Sequence, residues 1–171
     1  MKYILKLMFV LLLITVVVAG LLGVVNQLTA DKIAENTAKK ANSAMEAVLP
    51  SPSYEKLDIT KDGITEAYKA ENGYVVRLNA GGFGGAIDMM VGVSLEGTVT
   101  GISVIAHSET ASLGAECTRP DWQSQFVGAS DGLQVTKDGG TIDALTGATV
   151  TSRGVVDAVN RAVEFVKEVQ P

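Results

Sequence analysis

Hydrophobic and polar positions divide the chain into stretches of different period. Residues 7 to 25, "LMFVLLLITVVVAGLLGVV", carry no charge and form an unbroken apolar run. At roughly 1.5 Å of rise per residue the run approaches the ~30 Å hydrocarbon thickness of a bilayer, which predicts one transmembrane helix. Residues 31 to 49, "DKIAENTAKKANSAMEAVL", are alanine-rich, with a weak apolar stripe through Ile33, Thr37, Ala41, Ala44, Met45 and Val48. Pro50 and Pro52 end that stripe, and the segment reads as a helical stalk. From residue 64 the pattern becomes that of strands. "EAYKA" and "GYVVRLNA" flank Asn72-Gly73, a hairpin signal, and "IDMMVGVSL" and "VTGISVIAHS" flank a second turn at Glu96-Gly97. The two runs of the second pair are largely apolar, as expected of strands in a sheet covered on one face or both.

Helical spacing returns further on. "CTRPDWQSQFV", residues 117 to 127, predicts a short helix entered through Pro120-Asp121, with Trp122 and Phe126 one turn apart as core anchors. The last segment, "GVVDAVNRAVEFVKEV", is amphipathic: Val155, Ala158, Val159, Ala162, Val163 and Val166 share one face. The fold class is α+β, an antiparallel sheet with flanking helices and a closing C-terminal helix, preceded by one N-terminal transmembrane helix. The expected organisation is a tail and anchor over 1–30, a stalk over 31–50 and a domain over 51–171.

A cleaved signal peptide is the alternative reading of the first segment, with "QLTA" as a cleavage site. The apolar run exceeds the roughly 7–15 residues of a signal core, and Leu28 is bulky at the −3 position, so a retained anchor is favoured. Lys2 and Lys6 precede the run, while Asp31, Lys32, Glu35, Lys39 and Lys40 follow it with mixed sign. Positive charge stays on the cytoplasmic side, so the N-terminus is expected inside and the domain outside the cytoplasm.

Composition mostly excludes. A net charge of −5 without a basic patch argues against a nucleic-acid partner. Cys117 is the lone cysteine, so no internal disulfide forms, and a lone His107 rules out multi-histidine zinc sites.

Candidate chemistry concentrates in "DALTGATVTSRGV", residues 143 to 155, which crowds Thr146, Thr149, Thr151 and Ser152 at the foot of the last helix. One of Thr151 or Ser152 serves as a helix cap in the plainest reading, worth about 1 kcal/mol. The other reading starts from the unpaired N–H groups and partial positive charge of a helix N-terminus, which suit a phosphate. Gly147 and Ala148 are small enough to admit another molecule, Thr149 offers its Oγ just before the helix, and Arg153 adds a cation. "AGGFGGA", around residues 81 to 85, is either a flexible bend or a place of close backbone approach.

The run Asp143-Ala144-Leu145-Thr146-Gly147-Ala148-Thr149 resembles the flavinylation motif of the FMN-binding domain family. It follows "GGFGGAIDMMVGV", "GISVIAHSETASLGAE" and "WQSQFVG" in the order and spacing of that family, a match over roughly residues 64 to 169. Within the family the layout is most similar to G subunits of Rnf ion-translocating electron-transport complexes, with C subunits of sodium-pumping NADH–quinone reductases as near relatives. The resemblance implies FMN joined through a phosphoester to Thr149 by a separate magnesium-dependent flavin transferase, which takes it from FAD and releases AMP. It implies that Gly147 and Ala148 keep the acceptor reachable, that Asp143 and Thr146 are read by the transferase or hold the loop by local hydrogen bonds, and that the candidate flavin contacts are His107, Glu109, Thr110, Leu113, Gly84 and Gly85. At most one of Met89 and Met90 faces a flavin, since they alternate across a strand.

The implied function is that of an electron carrier in a membrane ferredoxin–NAD oxidoreductase, with the other subunits as partners. A flavin subunit of a quinone reductase or of an extracellular reductase is the alternative within the resemblance. A membrane-tethered binding module without redox role is the alternative outside it. One departure stands out: Ala111-Ser112 occupy the place of the family's usual Pro-Gly, which relaxes a rigid turn.

Overall fold

The computed structural model describes residues 2–58, 61 and 63–170. Helix α1 spans Lys2–Val48. Up to Lys39 its apolar side chains point outward, as in Leu5, Phe9, Leu12 and Leu22. The helix is long and apolar enough to cross a membrane. Its two hydroxyls in or beside the apolar run turn back on their own helix, Thr15 Oγ1 donating to the Leu11 carbonyl (2.9 Å) and Thr29 Oγ1 to that of Val25 (2.8 Å). Such bonds satisfy polar groups where no water is present.

The unit from residue 40 onward is built on a five-stranded antiparallel meander in the order β1 (Tyr54–Leu57), β2 (Ile64–Ala70), β3 (Gly73–Gly81), β4 (Ala86–Ser94) and β5 (Val99–Ala106). Helix α3 (Thr149–Val169) covers one face. Ile87, Met89, Val91 and Val93 of β4 point into this core, where they meet Val155, Val159, Val163 and Val166. Each such side chain contributes about 1.5–3 kcal/mol on burial. The last turns of α1 cover part of the other face, with Ala41, Ala44, Met45 and Val48 buried together with Ala70, Val75, Met90 and Ile105. Gly92 and Gly101 leave room for this contact, in which Thr100 Oγ1 donates to the Val48 carbonyl (2.5 Å). A sheet with two covered faces explains why its central strands read as continuous apolar runs.

Three sequence expectations shift. The first hairpin turn is Glu71-Asn72, and Gly73 pairs with Ala70 as the first residue of β3. Strand β1 has no sequence signal, because four residues between prolines and a turn show no usable alternation. Residues 114 to 126 form no single helix but a chain of short turns, with α2 (Pro120–Gln123) between two 3-10 segments. Trp122 and Phe126 are still buried anchors, their rings edge to face at 5.3 Å.

Candidate functional site

The motif loop is held from behind by the segment that precedes it. Trp122 Nε1 donates to the Asp143 carbonyl (2.7 Å), and Gln125 Oε1 accepts the Asp143 N–H (2.8 Å). The loop then turns at Gly147, whose φ of +74° favours glycine and where a Cβ would press on Leu113 Cδ2 at 3.0 Å. Helix α3 begins at Thr149 itself, with Ala148 as N-cap. The acceptor candidate is therefore the first helical residue, not a loop residue before the helix.

The cap expected from Thr151 or Ser152 is not formed. Ala148 has no side-chain oxygen to offer, so the first-turn N–H groups receive no side-chain cap. Thr151 and Ser152 are instead fully buried. Ser152 Oγ accepts the Leu145 N–H (2.9 Å) and donates to the Ala148 carbonyl (3.0 Å), tying the loop to the helix. Thr151 Oγ1 donates to Glu109 Oε2 (2.5 Å), and Glu109 Oε1 accepts the Gly84 N–H (2.7 Å). One carboxylate thus joins the glycine segment, the loop after β5 and the start of α3.

A cavity of about 420 Å³ opens between these elements. It is lined by Glu109, Thr110 and Leu113 on one side and by Gly147, Ala148 and Thr149 on the other, with Phe83, Val150, Gly114 and Thr151 completing it. Phe83, Leu113 and Val150 are exposed apolar side chains at its wall. The volume lies in the ordinary range for small-molecule sites, roughly 300–1,000 Å³. An apolar cleft beside an uncapped helix start suits a flat aromatic ring system carrying a phosphate, so the residues fit an FMN.

Not every candidate meets there. Asp143 and Thr146 line a neighbouring, more polar cavity with Glu116, Arg119 and Trp122, and Leu113 is the wall between the two. His107 lies outside both, its Nδ1 accepting the Glu109 N–H (3.2 Å). Gly84 reaches the cleft only through Glu109, and the Gly85 carbonyl accepts the Gly82 N–H (2.9 Å). Met89 and Met90 are both buried, in the cores on opposite faces of the sheet, so neither lines the cleft. Arg153 is engaged by Asp138 in a two-point pair (2.7 and 2.6 Å).

Two neighbours of the motif are not foreseen from the sequence. Phe83 sits inside the glycine run, and its being the one residue there with a side chain is the signal that could have found it. Lys137 Nζ donates to Thr149 Oγ1 (2.8 Å) from a turn twelve residues upstream. No pattern connects these last two positions; only the 3-10 turn Thr136–Asp138 and the Arg153–Asp138 pair bring them together.

Among the described residues no group of three or more His, Cys, Asp or Glu could hold a metal ion. Burial pushes the Cys117 thiol up to about 11, with the charge of Glu109 adding to the effect, so this thiol is not a nucleophile near neutral pH.

Residues 82–164, which carry β4, β5, the cleft loops and most of α3, match the FMN-binding domain family. The RnfG N-terminal region matches residues 1–48. The G subunit of an ion-translocating oxidoreductase complex from Methanosarcina acetivorans is 36% identical over 180 residues, covering 96% of this chain and 95% of the relative. Its counterpart from Pseudomonas aeruginosa is 35% identical over 179 residues, covering 90% and 84%. The G subunit of a proton-translocating ferredoxin:NAD(+) oxidoreductase complex from Clostridium ljungdahlii is 33% identical over 166 residues, covering 91% and 88%. The chain belongs to this family of G subunits.

Proposed function

We propose that the chain is a membrane-anchored electron-carrier subunit of an Rnf-type ferredoxin–NAD oxidoreductase, with FMN esterified through its phosphate to Thr149. The observation that carries this reading is Thr149 itself: a half-buried hydroxyl on the first residue of α3, in the lining of an apolar-walled cleft. FMN, when bound, supplies reversible one- and two-electron chemistry.

Among the described residues, Thr149 Oγ1 has one side-chain hydrogen-bond partner, Lys137. An ammonium has three donors and no acceptor, so it does not deprotonate the hydroxyl. That supports activation by an external enzyme, a flavin transferase. In the balanced step, Thr149 Oγ bonds to the FMN-side phosphorus of FAD as the bond from that phosphorus to the AMP oxygen breaks. AMP leaves with the electron pair, and the hydroxyl proton passes to a base of the transferase.

Phe83, Leu113 and Val150 would cover the ring and exclude water from it, while Glu109 fixes the shape of the cleft without offering a free carboxylate oxygen edge. The charges of Lys2 and Lys6 before the apolar run support a cytoplasmic N-terminus and an extracytoplasmic domain. There a covalent link keeps a cofactor that dissociation would lose, and α1 keeps the domain beside the other subunits.

The test is intact mass after co-production with a flavin transferase. The expected increment is FMN less one water, on the peptide containing Thr149, and Thr149→Ala abolishes in-gel flavin fluorescence under denaturing conditions. A transferase-exposed wild-type chain of unmodified mass would leave a tethered binding module without redox role.

A further inference from the structure

We infer that Lys137 is a positioning residue for the acceptor: its ammonium holds Thr149 Oγ in place before transfer and faces the phosphodiester charge afterwards. This rests on the reading of Thr149 as the FMN acceptor.

Lys137 Nζ stands 2.8 Å from Thr149 Oγ1. As a pure donor it occupies a lone pair of that oxygen and leaves the hydroxyl hydrogen directed elsewhere, towards whatever base removes it. The turn that carries it is fixed. Thr136 N–H donates to the Ile142 carbonyl (2.8 Å), Asp138 N–H to that of Val135 (2.8 Å), and Gly139 closes the turn at a φ of +90°. The Asp138 carboxylate is taken by Arg153, one helical turn beyond Thr149, so turn and helix start are tied at two adjacent points.

That pairing has an electrostatic result. Asp138 is the carboxylate next to Lys137 in the chain, and Arg153 occupies both its oxygens. Among the described residues Lys137 has no carboxylate in ion-pair range. An exposed lysine ordered on one neutral hydroxyl gains little for the rotamer freedom it loses. Its charge finds a full partner once Thr149 Oγ carries a phosphodiester, a monoanion with strong acceptor oxygens, and the bond then becomes charge-assisted on both sides.

The experiment follows FMN loading of the full-length chain in detergent, purified unmodified and then given FAD, magnesium and a flavin transferase. Lys137→Gln keeps a donor but no charge and is expected to load roughly tenfold to hundredfold more slowly than wild type. Lys137→Arg restores most of the rate. When loading is driven to completion, the 31P resonance of the phosphodiester in Lys137→Gln is displaced from its wild-type position, a readout independent of transferase contact and of redox activity. Wild-type loading rate together with an unmoved 31P resonance in Lys137→Gln would overturn the inference while leaving Thr149 as acceptor. A lowered melting temperature in both variants, with no rescue by arginine, would also overturn it by showing a structural role. A wild-type chain that loads at another residue, or does not load, would instead remove the acceptor reading on which the inference stands.

Discussion

Glu109 and Thr151, from opposite sides of the cleft, share a hydrogen bond of 2.5 Å, and the second oxygen of the same carboxylate accepts the Gly84 N–H at 2.7 Å. The loop after β5, the glycine segment after β3 and the start of α3 thereby close around one acidic group. Glu109→Gln keeps the size and replaces one acceptor with a donor, which faces either a hydroxyl that can turn or an amide N–H that cannot. The expected loss is about 1–3 kcal/mol of stability, read from urea unfolding, with Glu109→Asp also destabilised because it is too short to span both partners. Unchanged unfolding midpoints in both variants would show that the clasp carries no stability.

The buried and exposed hydroxyls of the motif separate by mutation. Ser152→Ala leaves the Leu145 N–H without its acceptor in a buried site and is expected to cost about 1–3 kcal/mol. Thr146 is exposed, and Thr146→Ala should change stability by no more than about 0.5 kcal/mol. Thermal unfolding of the two variants side by side checks the contrast.

Ser112 holds a φ of +60° and is the one residue other than glycine with positive φ among the described residues. It stands where the family resemblance expects glycine, so the turn survives the substitution by adopting the left-handed conformation. The turn is closed by N–H groups of Leu113 (3.2 Å) and Ala115 (3.1 Å) on the Thr110 carbonyl. Removing the Cβ in Ser112→Gly is expected to stabilise the domain by about 1 kcal/mol, measured as a raised urea midpoint. A lowered midpoint would mean that the serine side chain contributes more than its backbone costs.

On the sheet face away from α3, Arg77 bridges Glu66 (3.1 Å) and Asp88 (2.7 Å), and Lys56 pairs with Glu66 from β1 (2.6 Å). The hydrogen bond from Lys56 above all, then that from Arg77, holds the Glu66 carboxyl below the usual carboxylate range, against the opposing effect of burial. A depressed folded pKa means stability that is present above the unfolded value of about 4.3 and lost as pH falls through the folded one. Glu66→Gln should therefore be less stable than wild type by about 1–2 kcal/mol at pH 7, with the difference shrinking below pH ~4. Unfolding curves across that range check the sign; a difference that grew on acidification would contradict it.

Much of the candidate site is legible in the sequence because each of its motifs is local, although the motifs lie far apart. "LTGAT" carries its own geometry: a glycine that must turn, small neighbours, and a hydroxyl at a helix start. Thr149, Gly147, Ala148, Glu109, Thr110 and Leu113, named from motifs far apart in the chain, do line one cleft. The roles within that set are less legible. Glu109 looks like a free charge beside a ring, yet both its oxygens are engaged, which depends on how closely Gly84 and Thr151 approach. Helix α3 starts earlier than its pattern suggests because Thr151 and Ser152 look polar in sequence, although both are buried and satisfied in the fold.

The amino-acid order alone determined the features set by neighbours along the chain: an apolar run long enough for a bilayer, strands broken around Asn72-Gly73 and Glu96-Gly97, and an amphipathic last helix. Those features depend on side-chain period and turn chemistry over a few residues. Only the tertiary structure decided that Lys137 meets Thr149, that Arg153 is taken up by Asp138, and that the last turns of α1 lie in the same core as Val75 and Met90. Such pairings arise when a sheet and a helix bring distant segments within bonding distance, and no local pattern encodes which polar atoms then face each other.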